Sequence, residues 1–264
     1  MKRKVFYYEN ELADDFGSTV KNIKPLPTKY TYVKRNPFSK LASFVLYRWI
    51  ARPAVWVYMK IKFRHRFVGK KPLAAHKGGC FLYQNHVMVA GDAFLPHLFG
   101  VRKRGYVLTG ADTNSLTALL PLLRTLGNIP LGQSTAQGVA MLKCMRQRIG
   151  EGACITIYPE AHIWPYYTGI RPFSDASFYY PVMMKAPVFC ATTCFQKRRF
   201  FKTPRAVTFI DGPFYPQEGL TRAMGAKDLR DKCYEMMCVR AAAHSTYAAY
   251  EYRKKESVDG ENAT

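Results

Sequence analysis

At 264 residues and 48% hydrophobic content, the chain can bury a full core, which excludes a disordered or low-complexity protein. Its 40 Lys and Arg against 18 Asp and Glu leave a net charge of +22, a field that draws polyanions: an anionic membrane leaflet, nucleic acid, or an acidic or phosphorylated substrate. Seven cysteines without paired C-x-x-C spacing exclude a disulfide framework and a structural zinc site, and fit reduced thiols in a cytosolic compartment.

Residues 1–36 are polar and broken by Pro25 and Pro27, and read as an extended arm; the basic start lacks the apolar core of a signal peptide. Residues 37–62 are apolar enough to raise the question of a membrane span. Arg48 and Arg52 sit on one helical face in the middle of that stretch, where an arginine at the bilayer centre costs about 2.5–3.5 kcal/mol. Pro53 then divides the stretch, so two short amphipathic helices are expected, with Trp49, Trp56 and Tyr58 either at a membrane interface or packed on the domain. The basic run Lys60, Lys62, Arg64, Arg66, Lys70 and Lys71 favours the interface.

Residues 63–255 read as one α/β domain, followed by a polar tail over 256–264. Strands are expected over 61–68, 80–84, 106–108, 129–131, 153–158, 188–193 and 206–210. Helices are expected over 93–99, 114–125, 135–149 with Ser134 as N-cap, 173–184 and 226–254. Strands alternating with helices imply a mostly parallel central sheet flanked by helices. His65, His76 and His244 read as surface residues and His97 as a helix-face residue.

Ligands of such sheets gather at the carboxyl ends of strands, which directs attention to Asn85-His86 after the apolar run 80–84 and to Glu160 after 153–158. His86 can act as general base if Asp92 holds its other ring nitrogen. That contact needs a loop between them, with a helix starting near Asp92, and Gly91 makes such a turn easy. The alternative is that Asp92 only caps the helix. Glu160 can serve a pocket or pair with an arginine, and Arg171 can meet a phosphate or lie solvated. His86, Asp92, Glu160 and His162 lack the close spacing of a metal site, so no metal is expected. No helix-turn-helix, zinc finger or RNA-binding signature is present, so nucleic acid is not an expected partner.

The ordered blocks Asn85-His86…Asp92, Tyr158-Pro159-Glu160-Ala161-His162, Pro172-Phe173 and Pro187-Val188-Phe189 resemble the lysophospholipid acyltransferase superfamily, typified by 1-acylglycerol-3-phosphate acyltransferases, over roughly residues 60–215. The pattern departs from that family in three ways. One extra residue separates His86 from Asp92, Ala161-His162 stands where the family has Gly-Thr, and the stretch 127–133 lacks the arginine of the second block, for which Arg124 or Arg171 is a substitute. The resemblance implies His86 and Asp92 as the catalytic pair, with Asn85, Glu160, His162 and Arg171 at the substrate. It implies acyl transfer without metal or other cofactor, from acyl-CoA or an acyl-carrier protein to a lysophospholipid or related lipid. The amphipathic helices and the basic run lead us to expect peripheral or monotopic association with an anionic membrane surface, and the basic start without a signal-peptide core places it on the cytoplasmic face of the cell membrane. A thioesterase or hydrolase using the same pair, and a non-catalytic homologue that binds anionic membranes, stand as alternatives.

Overall fold

Strands that are apolar on both faces can only sit in the interior of a sheet covered on both sides. β3 (Cys80–Gln84) and β6 (Cys154–Ile157) are buried along their whole length, and β7 (Val188–Gln196) is buried up to its last residue. Together with β2 (Arg66–Val68), β4 (Gly105–Thr109), β5 (Asn128–Pro130) and β8 (Arg205–Phe214) they form one sheet in the order β2-β8-β7-β3-β6-β4-β5. All neighbours pair in parallel except β7 and β8, so the sheet is mostly parallel, as expected. These features come from a computed structural model that describes residues 4–17, 25–28, 30–33, 36–89, 91–100, 103–110, 123, 125–201 and 203–255. The tail over 256–264, Arg124 and most of the helix expected over 114–125 lie outside the described residues.

Alternation along each strand divides the core in two. Phe81, Tyr83, Ile155 and Ile157 face α6 (Thr135–Gly150) and α8 (Arg222–His244), which contribute Met141, Met145, Leu229 and Met237. Cys80, Leu82, Phe189 and Ile210 face the other way, against Val55 and Met59 of α2 (Arg52–Phe63), Leu73 of α3 (Lys70–Ala75) and Phe99 of α5 (Pro96–Phe99). Each such buried side chain stabilises the fold by about 1.5–3 kcal/mol.

The amino-terminal helical stretch differs from its expectation. α1 (Pro37–Val45), a π-helical segment (Leu46–Ala51) and α2 follow without a break in helical backbone. The π turn carries the helix past the proline, because Arg52 N–H bonds back to Tyr47 O, five residues earlier, one position before Pro53 removes a donor. Phe38, Leu41, Trp49, Ile50, Trp56, Val57 and Ile61 remain exposed along this run. Among the described residues, no helix is long and apolar enough to cross a membrane.

Three other elements also depart from the sequence reading. The strand expected over 61–68 is helix to Phe63, a left-handed cap at Arg64, and only three residues of strand. The helix expected over 173–184 is confined to a 3-10 turn (Ala176–Phe178) and α7 (Tyr179–Met184). α8 stops at His244, and the chain beyond it forms β9 (Tyr250–Lys254), which pairs in parallel with β1 (Lys4–Tyr8) of the amino-terminal arm. This second sheet docks through rings: Tyr252 stacks on Phe6 at 5.3 Å and on the buried Trp164 at 4.8 Å.

His65, expected at the surface, is 2% exposed with Nε2 2.9 Å from Thr208 Oγ1, and His97 is 5% exposed against the Tyr47 hydroxyl. Burial, helped by Lys60 and Lys70, pushes His65 down to about 3; burial, helped by Arg104 and Arg52, pushes His97 down to about 4. Unfolded, each titrates near about 6.5, so in the window between, the unfolded chain takes up protons that the folded chain refuses. Their stabilising contribution is complete above about pH 6.5 and is lost as pH falls, by up to about 1.4 kcal/mol per pH unit for each histidine. Urea unfolding at pH 7 and pH 5 is expected to show the weaker fold at pH 5, with the slope flattened in H65Q/H97Q; an unchanged slope would assign the acid sensitivity to other groups.

Candidate active site

β3 delivers three polar residues to its carboxyl end. Gln84 and Asn85 are buried, while the His86 side chain keeps 21% of its surface exposed. The chain then turns tightly. Met88 N–H donates to Asp92 Oδ2 at 2.8 Å and Asp92 N–H donates to Met88 O at 2.9 Å, so the two residues close the loop on each other. Gly91 permits this, since a Cβ there would lie 2.9 Å from Met88 Cβ. The turn absorbs the extra residue and brings Asp92, in the first turn of α4 (Gly91–Phe94), to His86: Nδ1 and Oδ2 are 2.8 Å apart.

A carboxylate oxygen only accepts, so Nδ1 carries the proton and Nε2 presents a lone pair. Among the described residues Nε2 makes no hydrogen bond. Gln84 Nε2 donates to Asp92 Oδ1 at 3.2 Å. Burial pushes the Asp92 carboxyl up from its ordinary value, and the bonds from His86 and Met88 pull against it. The His86 ring stacks on Tyr158, 4.3 Å between centroids and 24° from parallel, and Tyr158 OH donates to Asp92 O at 2.6 Å.

The loop after β6 is strapped to this turn. Glu160 Oε2 accepts from His86 N–H at 3.1 Å and meets Arg171 Nη2 at 3.3 Å, while Oε1 accepts from Arg171 N–H at 3.1 Å. Trp164 N–H donates to His86 O at 3.1 Å and Tyr166 N–H to Val87 O at 2.8 Å. Burial raises the Glu160 carboxyl, with the Arg171 guanidinium opposing it.

These contacts redistribute the residues expected at the substrate. Arg171 is 1% exposed, and its guanidinium is held by Glu160, by His162 O, by Glu11 O and by the Trp164 ring at 5.0 Å. It therefore does not present itself to a phosphate, and Glu160 pairs with it rather than lining a pocket. Asn85 bridges β3 to β7, donating to Thr193 O at 3.1 Å and accepting from Thr193 N–H at 2.8 Å. The His162 ring lies 4.0 Å from Asp15, not against His86. Each of the four has a partner within the protein: Asn85 on β7, Glu160 and Arg171 on each other, and His162 beside Asp15.

No protein-family model matches the chain, and no curated protein does. Among solved structures it is similar to the crystal structure of the 1-acyl-sn-glycerophosphate (LPA) acyltransferase, PlsC, from Thermotoga maritima. The TM-score is 0.54 at 15% identity, over 78% of this chain and 86% of that chain. The chain has the PlsC fold. This agrees with the resemblance carried by the sequence blocks, and at such identity the likeness is one of fold.

The structure also holds a buried polar row that sequence reading missed. From Gln84 Nε2 it runs 3.5 Å to Thr193 Oγ1, 2.9 Å on to Thr208 Oγ1, and 2.9 Å to His65 Nε2. The available signal was a glutamine and two threonines inside otherwise apolar strands, where an unpartnered polar group is costly. Tyr158 was visible only as part of a block, and its stacking on His86 had no signal in spacing.

Proposed function

We propose that this chain is a membrane-associated O-acyltransferase that moves a fatty acyl group from an acyl thioester, acyl-CoA or acyl-carrier protein, to a hydroxyl of a lysophospholipid or related lipid. The observation that carries the reading is the 2.8 Å His86–Asp92 contact at the carboxyl end of a central strand in a PlsC fold. His86 Nε2 takes the acceptor's hydroxyl proton as the oxygen attacks the thioester carbonyl. The new C–O bond forms, the C–S bond breaks as the tetrahedral intermediate collapses, and the imidazolium returns the proton to the departing thiolate. Asp92 orients the ring and stabilises the transient imidazolium. His86 and Asp92 are the residues assigned to chemistry, and Asn85, Glu160, His162 and Arg171 position them.

The exposed apolar side chains of the amino-terminal helices, followed by a basic run, support peripheral binding to an anionic leaflet. All seven cysteines are free thiols, which supports the cytoplasmic face. Incubating the protein with acyl-CoA and a panel of lysolipids in anionic vesicles is expected to release thiol and form acylated lipid in equal amounts. Free fatty acid in place of acylated lipid would instead assign a thioesterase or hydrolase using the same pair. Neither product would leave a non-catalytic membrane-binding homologue.

A further inference from the structure

A cavity of about 530 Å³ lies between the π segment and α2 on one side and β2 and α5 on the other. Five cations line it, Arg48, Arg52, Lys60, Arg66 and Lys70, and no carboxylate does. Like charges gathered around one space repel, and a low-dielectric wall strengthens that repulsion. The effect is felt by Lys70, which burial and Arg52 push down to about 8. Two of the heads are held in place: Lys70 Nζ donates to Leu98 O and Arg52 Nη2 to Gly100 O, each at 2.5 Å, at the carbonyl end of α5. Trp56 and Phe67 supply apolar wall, with Lys60 Nζ 6.0 Å from the Trp56 ring centroid and Lys70 Nζ 4.6 Å from that of Phe67. Fixed donors of one sign beside carbon surface suit a doubly charged anion carried on an organic group.

We propose that this cavity is a binding site for a phosphate monoester, separate from the His86 turn. None of its lining residues belongs to that turn, and the site does not depend on the acyl-transfer reading. The same chemistry is offered by a lipid headgroup at the membrane surface and by a soluble nucleotide phosphate, and both can reach a cavity at the foot of the exposed helix.

The test uses the full chain at fixed ionic strength. Lys60 and Arg66 are exposed, so the double variant K60Q/R66Q should keep its fold; K185Q/K227Q, also exposed and outside the cavity, removes the same charge. Titration with inorganic phosphate, followed by ³¹P line width, is expected to saturate. The dissociation constant should rise about tenfold or more in K60Q/R66Q and change less than about twofold in the control. A preference for phosphatidic acid vesicles over phosphatidylserine vesicles of matched charge, lost in K60Q/R66Q, would assign the site to a headgroup. Displacement of phosphate by adenosine 3′,5′-bisphosphate, weakened in the same variant, would assign it to a soluble ester. Equal losses in the two double variants, or no saturable phosphate binding in the parent chain, would overturn the proposal.

Discussion

H86A is expected to lower acyl transfer by about 10²- to 10⁴-fold, the range that a positioned general base supplies. The expectation rests on how completely Nδ1 is engaged: Asp92 Oδ2 sits 2.8 Å away, and the carboxylate is itself held by Met88 N–H and Gln84 Nε2. Only Nε2 is left to meet an acceptor hydroxyl. Asp92→Asn tests the same geometry from the other side. An amide can donate to Nδ1, which moves the ring proton to Nε2 and removes the base, so a loss of comparable size should follow. Thiol release from acyl-CoA with a lysolipid acceptor is the assay, and the melting temperature of each variant checks that the fold is retained. A fully active H86A would end the proposed mechanism while leaving the fold in place.

The second large effect is on stability. The Glu160 and Arg171 side chains are each 1% exposed, and Arg171→Ala would leave an unpaired carboxylate inside the loop after β6, which is strapped to the His86 turn. Breaking a buried pair from one side costs about 3–5 kcal/mol. For a chain of this size that is a fall in Tm of roughly 10 °C. The double variant E160Q/R171M, which leaves no buried charge while Gln keeps an acceptor for His86 N–H, should recover much of the loss. Thermal unfolding followed by circular dichroism measures both. An R171A protein that melts with the parent would mean that the pair does not hold the loop.

The central strands were legible because burial writes itself into composition: an apolar run such as Cys80-Phe81-Leu82-Tyr83 has no place but a sheet interior. α6 was legible from Ser134, whose hydroxyl accepts from Gln137 N–H as an N-cap should. The segment after His244 was not. Tyr250-Glu251-Tyr252-Arg253-Lys254 is compatible with helix by local propensity, and it becomes strand because Lys4–Tyr8 pairs with it from the opposite end of the chain. Local preference carries no trace of such a partner.

At the site, the sequence pointed to a histidine and an aspartate that the fold brings to 2.8 Å, and to the extra residue between them. The turn between them is closed by the mutual bonds of Met88 and Asp92, a closure that spacing alone does not announce. What the sequence left open about Asn85, Glu160, His162 and Arg171 has one cause. Polar residues at strand ends can serve a ligand or serve the loop, and only the partners they reach distinguish the two.

The row from Gln84 to His65 has a donor sense. The Gln84 amide nitrogen can only donate, so Thr193 Oγ1 receives from it; the hydrogen between Thr193 and Thr208 can come from either, and the His65 tautomer sets the direction at the far end. Burial, which holds the ring down to about 3, keeps His65 uncharged, and with its proton on Nδ1 the ring accepts from Thr208. With the proton on Nε2, Thr208 would receive from the ring and give its hydrogen to Thr193 Oγ1, which has two lone pairs and can accept from Thr208 and Gln84 together. An uncharged imidazole at the sheet's margin thus bears on which way the row's hydroxyls point, and the row ends three strands away on the amide that donates to Asp92.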